Sequence, residues 1–271
     1  MPDETLTPNS PAWDDQLLVD PHGVADKQSR VQRMFAAIAG SYDFNNRLHS
    51  LGQDQRWRKR AVKLAMLKPT DGVVDVACGT GDLTYAFLNA FHDIDFTALD
   101  LEYDDQIIGI DYTFEMLPIA RQKRKGRYTL NGPAFLNGDA QSLPLPDACA
   151  DVVSIAFGIR NVADPAQALR EFRRILRPGG RVIILEFSKP KSRVIRWLND
   201  LYCAHIMPHT ATWISGDRSG AYKYLPMSVK SFMNREEMMR QMRDAGFENV
   251  EQFPMTFGVC VVYRGFVVKD A

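Results

Sequence analysis

The sequence predicts an α/β fold in which short apolar strands alternate with amphipathic helices around a mostly parallel sheet. Three observations carry this. Val73-Val-Asp-Val76 reads as a buried strand running into Gly79-Thr-Gly81, after which Leu83, Thr84, Phe87 and Leu88 recur at helical spacing. Residues 151–157 form a second apolar run dense enough for the centre of a sheet. Residues 247–253 and 257–268 then fit two closing strands, paired antiparallel at an edge.

Size and composition exclude several classes. A chain of 271 residues with 45% hydrophobic and 24% charged residues has the make-up of an ordinary globular protein with a sizeable core. Its formal net charge of zero gives no electrostatic footprint for nucleic acid. Cys78, Cys149, Cys203 and Cys260 stand far apart without a Cys-x-x-Cys pair, so neither a metal site nor a disulfide framework is expected, and a reducing cytoplasm suits them. No apolar run reaches the length of a membrane span and no signal peptide is expected, so any membrane contact would be peripheral.

In chain order, residues 1–26 carry four prolines among acidic and polar residues and read as a disordered tail. Val31, Met34, Phe35 and Ile38 share one helix face. A polar turn at residues 42–46 and a second helix over residues 51–66 complete an N-terminal helical cap, residues 27–70, on a single domain that extends to residue 271. Such a cap either covers a sheet edge or forms a lid over a substrate, and Tyr42 is its candidate functional residue.

The turn after the first strand brings bare backbone close to a ligand. Its pattern, Asp75-x-x-x-Gly79-x-Gly81, departs from the dinucleotide fingerprint because Thr84 stands where a third glycine would be, so a pyrophosphate is disfavoured. Two strand-like runs follow, ending in Asp100 and Asp111, and either acid could accept both hydroxyls of a ribose. Spacing favours Asp100, 19 residues beyond Gly81, whereas the helical pattern of Met116, Leu117 and Ala120 favours Asp111. Asp111 is the reading taken, which makes residues 91–105 an insertion; a helix-capping role for Asp111 is the alternative.

Residues 121–127 are a basic run expected at a solvated helix end. A third strand leads into Gly138-Asp139-Ala140, and Gly158-Ile-Arg160-Asn161 lies just beyond the run at 151–157, where ligands bind in open parallel sheets. Asp164 and Pro165 open a helix with Gln167 completing a capping-box pattern, and Pro178-Gly-Gly180 stops it. Residues 191–230 form a helical region on the substrate side; His205 and His209 flank Pro208 there, which disturbs the helix and argues against zinc. Asn234 and Glu237 open the last helix.

Taken together, Met34-Phe-x-x-Ile-Ala-x-x-Tyr42-Asp43, Asp75-Val-Ala-Cys-Gly-Thr-Gly-Asp-Leu-Thr84, Phe157-Gly-Ile-Arg-Asn161, Arg177-Pro-Gly-Gly180 and Leu185-Glu-Phe-Ser-Lys-Pro190 resemble the UbiE-type menaquinone and ubiquinone biosynthesis C-methyltransferases, within the class I S-adenosylmethionine-dependent methyltransferases. The resemblance runs from about residue 30 to the C-terminus. It implies a Rossmann-like, seven-stranded sheet with helices on both faces and S-adenosyl-L-methionine as cofactor. Asp75, Gly79, Thr80 and Gly81 would lie at the methionine part, Asp111 and Tyr112 at the ribose, Asp139 and Ala140 at the adenine, and Ala156 where some members carry a serine.

The reaction implied is methyl transfer to a ring carbon of a polyprenylated quinol, demethylmenaquinol before 2-methoxy-6-polyprenyl-1,4-benzoquinol. Arg160 would stabilise the phenolate, Asn161 and Tyr42 would position the ring, and Arg160 through water or His205 would remove the proton. No metal is implied. A homodimer or a quinone-biosynthesis complex is the expected assembly, with another small apolar acceptor or a non-catalytic scaffold as the competing readings.

Overall fold

A computed structural model describes residues 11–93, 106–123, 132–202, 210 and 219–268. In chain order the elements are α1 (Lys27–Ile38), α2 (Tyr42–His49), α3 (Gln53–Ala65), β1 (Val73–Val76), α4 (Asp82–His92), β2 (Ile107–Asp111), α5 (Met116–Lys123), β3 (Ala134–Asn137), β4 (Ala150–Ala156), α6 (Pro165–Ile175), β5 (Leu176–Phe187), α7 (Arg193–Leu201), α8 (Ala221–Ser231), α9 (Arg235–Asp244), β6 (Glu248–Met255) and β7 (Cys260–Phe266). The seven strands make one sheet in the order β3-β2-β1-β4-β5-β7-β6. The first five run parallel, and β7 is antiparallel to both β5 and β6. The chain leaves β1 toward one edge, through β2 and β3, and returns to the other side at β4. The carboxyl ends of β1 and β4 therefore flank the switch point, the crevice where open α/β sheets bind ligands.

Strand alternation distributes the core to both faces. Val73 and Val152 pack with α3 and α4, while Val74, Val76, Val153 and Ile155 pack with α6 and α9. On α6, Ala168, Leu169, Phe172 and Ile175 are fully buried at helical spacing. Among the described residues no helix is long and apolar enough to cross a membrane.

Several sequence expectations need correcting. Residues 11–26 are packed against the domain: Ala12, Trp13 and Leu18 are buried, Trp13 stacks on Tyr224 at 4.3 Å between ring centroids, and its amide donates to the Ser219 carbonyl at 3.1 Å. Gly220, at φ +85°, has to be glycine, since a Cβ there would stand 2.4 Å from the Trp13 carbonyl oxygen. Average composition hid this, because two large apolar side chains suffice to dock an otherwise polar segment. Residues 42–46 are helical and belong to α2 rather than to a turn.

Asp164 caps α6 by accepting from the Gln167 amide at 3.0 Å, but its own amide donates to the Gln141 side-chain oxygen at 2.9 Å rather than to Gln167. Gln167 turns instead to the Gln141 carbonyl at 3.3 Å. That helix ends at Ile175, ahead of Pro178, with Leu176 already extended at the start of β5. At α9 the capping box of Asn234 and Glu237 is complete. The 91–105 insertion, with Asp100, lies outside the described residues except for residues 91–93, which finish α4 and its turn.

Removing the anchor tests the N-terminal packing. Trp13→Ala is expected to lower unfolding stability by about 3 kcal/mol, through lost burial and the cavity left against Tyr224. Chemical denaturation would read this, and a loss well under 1 kcal/mol would mean the segment adds nothing to the fold.

Candidate functional site

At the switch point the backbone itself is unusual. Ala77, directly after β1, and Phe157, directly after β4, both hold left-handed conformations, at φ +50° and +57°. Non-glycine residues occupy that region at a cost of about 1–3 kcal/mol, and such residues gather at ligand sites. Both line a cleft with about 740 Å³ of free space, part of it open to solvent. The two strand ends nearly touch, because a Cβ added to Gly158 would sit 2.7 Å from that of Ala77.

Glycines 79 and 81 do different work. At Gly79, φ +54°, an added Cβ would meet nothing within 4 Å, so this Cα faces open space and the residue lines the cleft. At Gly81, φ +82°, it would press on Tyr85, Ala120 and Phe135, so the second glycine serves packing. Gly81 and Thr80 do not line the cleft. The Thr80 hydroxyl donates to Asp43 and accepts from Lys123 at 3.0 Å. Asp75 lies under the turn, accepting the hydroxyls of Thr84 at 2.6 Å and Ser154 at 2.8 Å; burial raises its pKa to about 6. It supports the cradle from within and does not reach the cleft.

Asp111 ends β2 at the cleft wall. One carboxylate oxygen accepts the Gly79 amide and the other the Thr113 amide, each at 2.7 Å. An ionised carboxylate has about four lone-pair sites. The Thr113 hydroxyl bonds the same carboxylate, and the acceptor capacity left over is what a ligand hydroxyl would use. Burial raises its pKa to about 6 against the two amides.

Tyr112, Asp139, Ala140 and Ala156 also line the cleft. Asp139 is held by the side chain of Gln28 at 2.6 Å and by the Gln141 amide at 2.9 Å. Gln28 was not legible as a site residue. It shares the face of α1 that carries Val31, Gln32 and Phe35, all lining the cleft, and the same spacing reads equally well as ordinary core.

Tyr42 and Asn161 line the same cleft. Tyr42 meets Phe35 edge-on at 5.8 Å, and burial pushes its phenol up, so it remains a hydrogen-bond donor at neutral pH. Asn161 is fixed twice: its amide nitrogen donates to the Phe157 carbonyl at 3.1 Å, and its oxygen accepts the Tyr224 hydroxyl at 3.0 Å.

Arg160 departs from expectation. Its guanidinium is 2% exposed and does not line the cleft; it donates to Glu186 at 2.7 Å, to the Phe157 carbonyl at 2.8 Å and to Ser228 at 3.2 Å, and lies 5.4 Å from the Phe187 ring centroid. Its own carbonyl accepts the buried Lys27 amine at 3.0 Å. Arg160 is therefore a clamp behind the Phe157–Asn161 turn rather than a group facing a ligand. His205 lies outside the described residues.

The basic run also differs from a solvated helix end over its described part. The Arg121 guanidinium donates to the Phe135 carbonyl at 2.7 Å, and Lys123 pairs with Asp43 at 2.6 Å and Asp82 at 2.5 Å.

Comparison with known proteins agrees with this geometry. The profile of the ubiE/COQ5 methyltransferase family matches residues 24–267. A ubiquinone/menaquinone biosynthesis C-methyltransferase UbiE from Geobacter sulfurreducens is 38% identical over 242 residues, covering 89% of this chain and 90% of that protein. Its counterpart from Shewanella frigidimarina is 35% identical over 89% of this chain and 92% of that one. Among solved structures, a S-adenosylmethionine-dependent methyltransferase from Thermotoga maritima superposes with a TM-score of 0.56 at 23% identity, covering 87% of this chain and 99% of that one. A methyltransferase from Haloferax volcanii, solved with its activator Trm112, gives 0.57 at 20%, covering 86% and 99%.

The Asp111 carboxylate supplies a pH test. A diol needs the ionised form, and in the free protein the proton leaves only near pH 6. Affinity for S-adenosylmethionine should therefore fall up to about tenfold per pH unit below 6. Asp111→Asn should bind at least about tenfold more weakly at pH 7 and lose that slope. For stability the sign is opposite: a raised folded pKa means the folded chain keeps the proton that the unfolded chain releases, so this group's contribution improves as pH falls from about 6 toward 4. Calorimetric titration across pH 5–8 reads the binding arm, and a flat wild-type profile would remove Asp111 from the seat.

Proposed function

Because the chain belongs to the ubiE/COQ5 methyltransferase family, whose cofactor is S-adenosyl-L-methionine, we propose that it methylates a ring carbon of a polyprenylated quinol. Demethylmenaquinol is the acceptor we favour, with 2-methoxy-6-polyprenyl-1,4-benzoquinol as the alternative. The observation that carries this reading is the cleft at the β1 and β4 ends, which joins a backbone cradle and diol-binding carboxylate to a wall bearing Tyr42 and Asn161. The described cysteines, Cys78, Cys149 and Cys260, are free thiols, as a reducing cytoplasm would keep them.

When bound, the cofactor supplies an electrophilic methyl group on a positively charged sulfur. The chain's own residues orient and shield. Gly79 admits the ligand to backbone contact, Asp111 takes the ribose hydroxyls, and Asp139 with Ala140 borders the far end of the seat. Gln28, Val31 and Phe35 of α1 close that side against water. Carbon attack requires a quinol oxygen to lose its proton so that electron density reaches the ring. Tyr42, kept neutral by burial, donates to that oxygen as charge develops. Asn161 presents its remaining amide proton to the acceptor in an orientation fixed by Tyr224 and Phe157. Arg160 and Glu186 hold the turn that carries Asn161. With Arg160 held behind the turn, the base we propose is His205, the second of the two candidates, because an imidazole exchanges protons near neutral pH.

Labelled methyl transfer to each quinol separates the acceptors, with faster turnover of demethylmenaquinol expected. Failure with both, in a protein that binds the cofactor, would reject the quinol reading. Asn161→Ala should lower kcat about a hundredfold with cofactor affinity kept within about twofold, and Tyr42→Phe should lower it about tenfold.

Arg160 is tested through its partner. Arg160→Ala strands a buried carboxylate and should cost about 3–5 kcal/mol of stability. Arg160→Met with Glu186→Leu should recover most of that loss. If the refolded double variant still has no turnover, Arg160 does more than position the turn.

A further inference from the structure

Helix α7 is turned inside out. Val194, Trp197, Leu198 and Leu201 fall on one stripe at helical spacing, and they are 66%, 63%, 50% and 42% exposed. Ile195 and Asn199, on the other side, are the half-buried positions. A helix that served only this domain would bury its apolar stripe. Nearby, α2 shows the same feature: Phe44 and Leu48 are 61% and 43% exposed on its outer face, and Leu51 just beyond is 85% exposed. The two patches are tied together, since the Tyr202 hydroxyl at the end of α7 donates to the His49 carbonyl at the end of α2, at 3.1 Å.

The charge around the stripe has one sign. Lys189, Lys191, Arg193 and Arg196 are exposed, and from 189 to 201 the only acid is Asp200. The Arg196 guanidinium folds back onto the Pro190 carbonyl at 2.8 Å, which keeps the cations grouped at the start of the helix. This stands out in a chain whose formal net charge is zero.

We propose that α7 and the outer face of α2 form a docking surface for an anionic lipid bilayer. An exposed tryptophan within an apolar stripe, rimmed by cations at one end, is the composition of a helix lying in a membrane interface, and a convex helix face offers no groove for a peptide. Tyr42, the first residue of α2, lines the cleft. The docked surface thus adjoins the cleft wall, where an acceptor dissolved in the bilayer would arrive. The purpose of the surface rests on the acceptor reading above; its lipid affinity does not.

Co-sedimentation of the full chain with vesicles of phosphatidylcholine containing phosphatidylglycerol, and of phosphatidylcholine alone, tests it. Binding should be about tenfold stronger to the anionic vesicles and weaken with added salt. The pair Trp197→Glu with Leu198→Glu, and separately Lys191→Glu with Arg193→Glu, should each lose about tenfold in vesicle affinity, with S-adenosylmethionine affinity and melting temperature unchanged. Methyl transfer to a short-chain, water-soluble quinol should survive both, so a wrong acceptor and a wrong surface give different failures. No binding to anionic vesicles, or binding unaffected by Trp197→Glu with Leu198→Glu, would overturn the proposal. So would a dimer in light scattering that the same pair dissolves, because the face would then belong to a second copy of the chain.

Discussion

The bond from the Gly79 amide to the Asp111 carboxylate is the constraint on which the site depends. It joins the turn after β1 to the end of β2 and spends only one acceptor position of a group that can offer about four. The same carboxylate takes the Thr113 amide, so the start of the next segment is set by it as well. Without these bonds the turn, with its two left-handed glycines, would have many conformations to choose from. With them, the glycine that faces open space and the glycine that faces Tyr85, Ala120 and Phe135 cannot exchange roles. Burial raises the Asp111 pKa, so the charge is held at a cost that a ligand donating hydrogen bonds to its remaining lone pairs can offset.

The partner strand end is fixed by different means. Phe157 is held left-handed while its carbonyl accepts from both Arg160 and Asn161. Arg160 is anchored by Glu186 in β5, and its own carbonyl by Lys27 from α1. Burying such a pair is weak evidence for stability, because desolvation consumes most of the attraction. What it does give is direction. A guanidinium fork bound to three partners, at the residue after β4, on β5 and on α8, permits one geometry of the turn, and so one position of the Asn161 amide.

How far the sequence could be read follows from which interactions are local. The strands, the glycine turn and the capping box of Asn234 and Glu237 depend on residues within a few positions of one another, and there the helical period after Asp111 placed it at the end of β2 although spacing favoured Asp100. Asn161, Tyr42 and Asp139, which line the cleft, could be singled out because each sits just after a strand or within a recognisable family motif. Arg160 was misread for the same reason: a cation past a strand end looks like a ligand group, and its partner Glu186 is 26 residues away. Trp13 and Gln28 were missed because their contacts, Tyr224 and Asp139, are 211 and 111 residues distant. Composition and helical spacing carry no information on such pairings.

The two ends of the cap are held by unlike forces. Near the glycine turn, Lys123 bridges Asp43 and Asp82, and Arg47 reaches Asp82 at 3.3 Å, all with side chains partly open to water. Such pairs contribute about 0–1 kcal/mol each and are screened by salt. At the other end Trp13 is stacked on Tyr224, and the Lys27 amine, its pKa lowered to about 8 by burial and by Arg160, donates to the Arg160 and Val162 carbonyls. Those contacts are dry and do not exchange with solvent ions. The consequence is a wall of uneven strength: firm beside Asn161, where the contacts are buried, and ionic around Thr80.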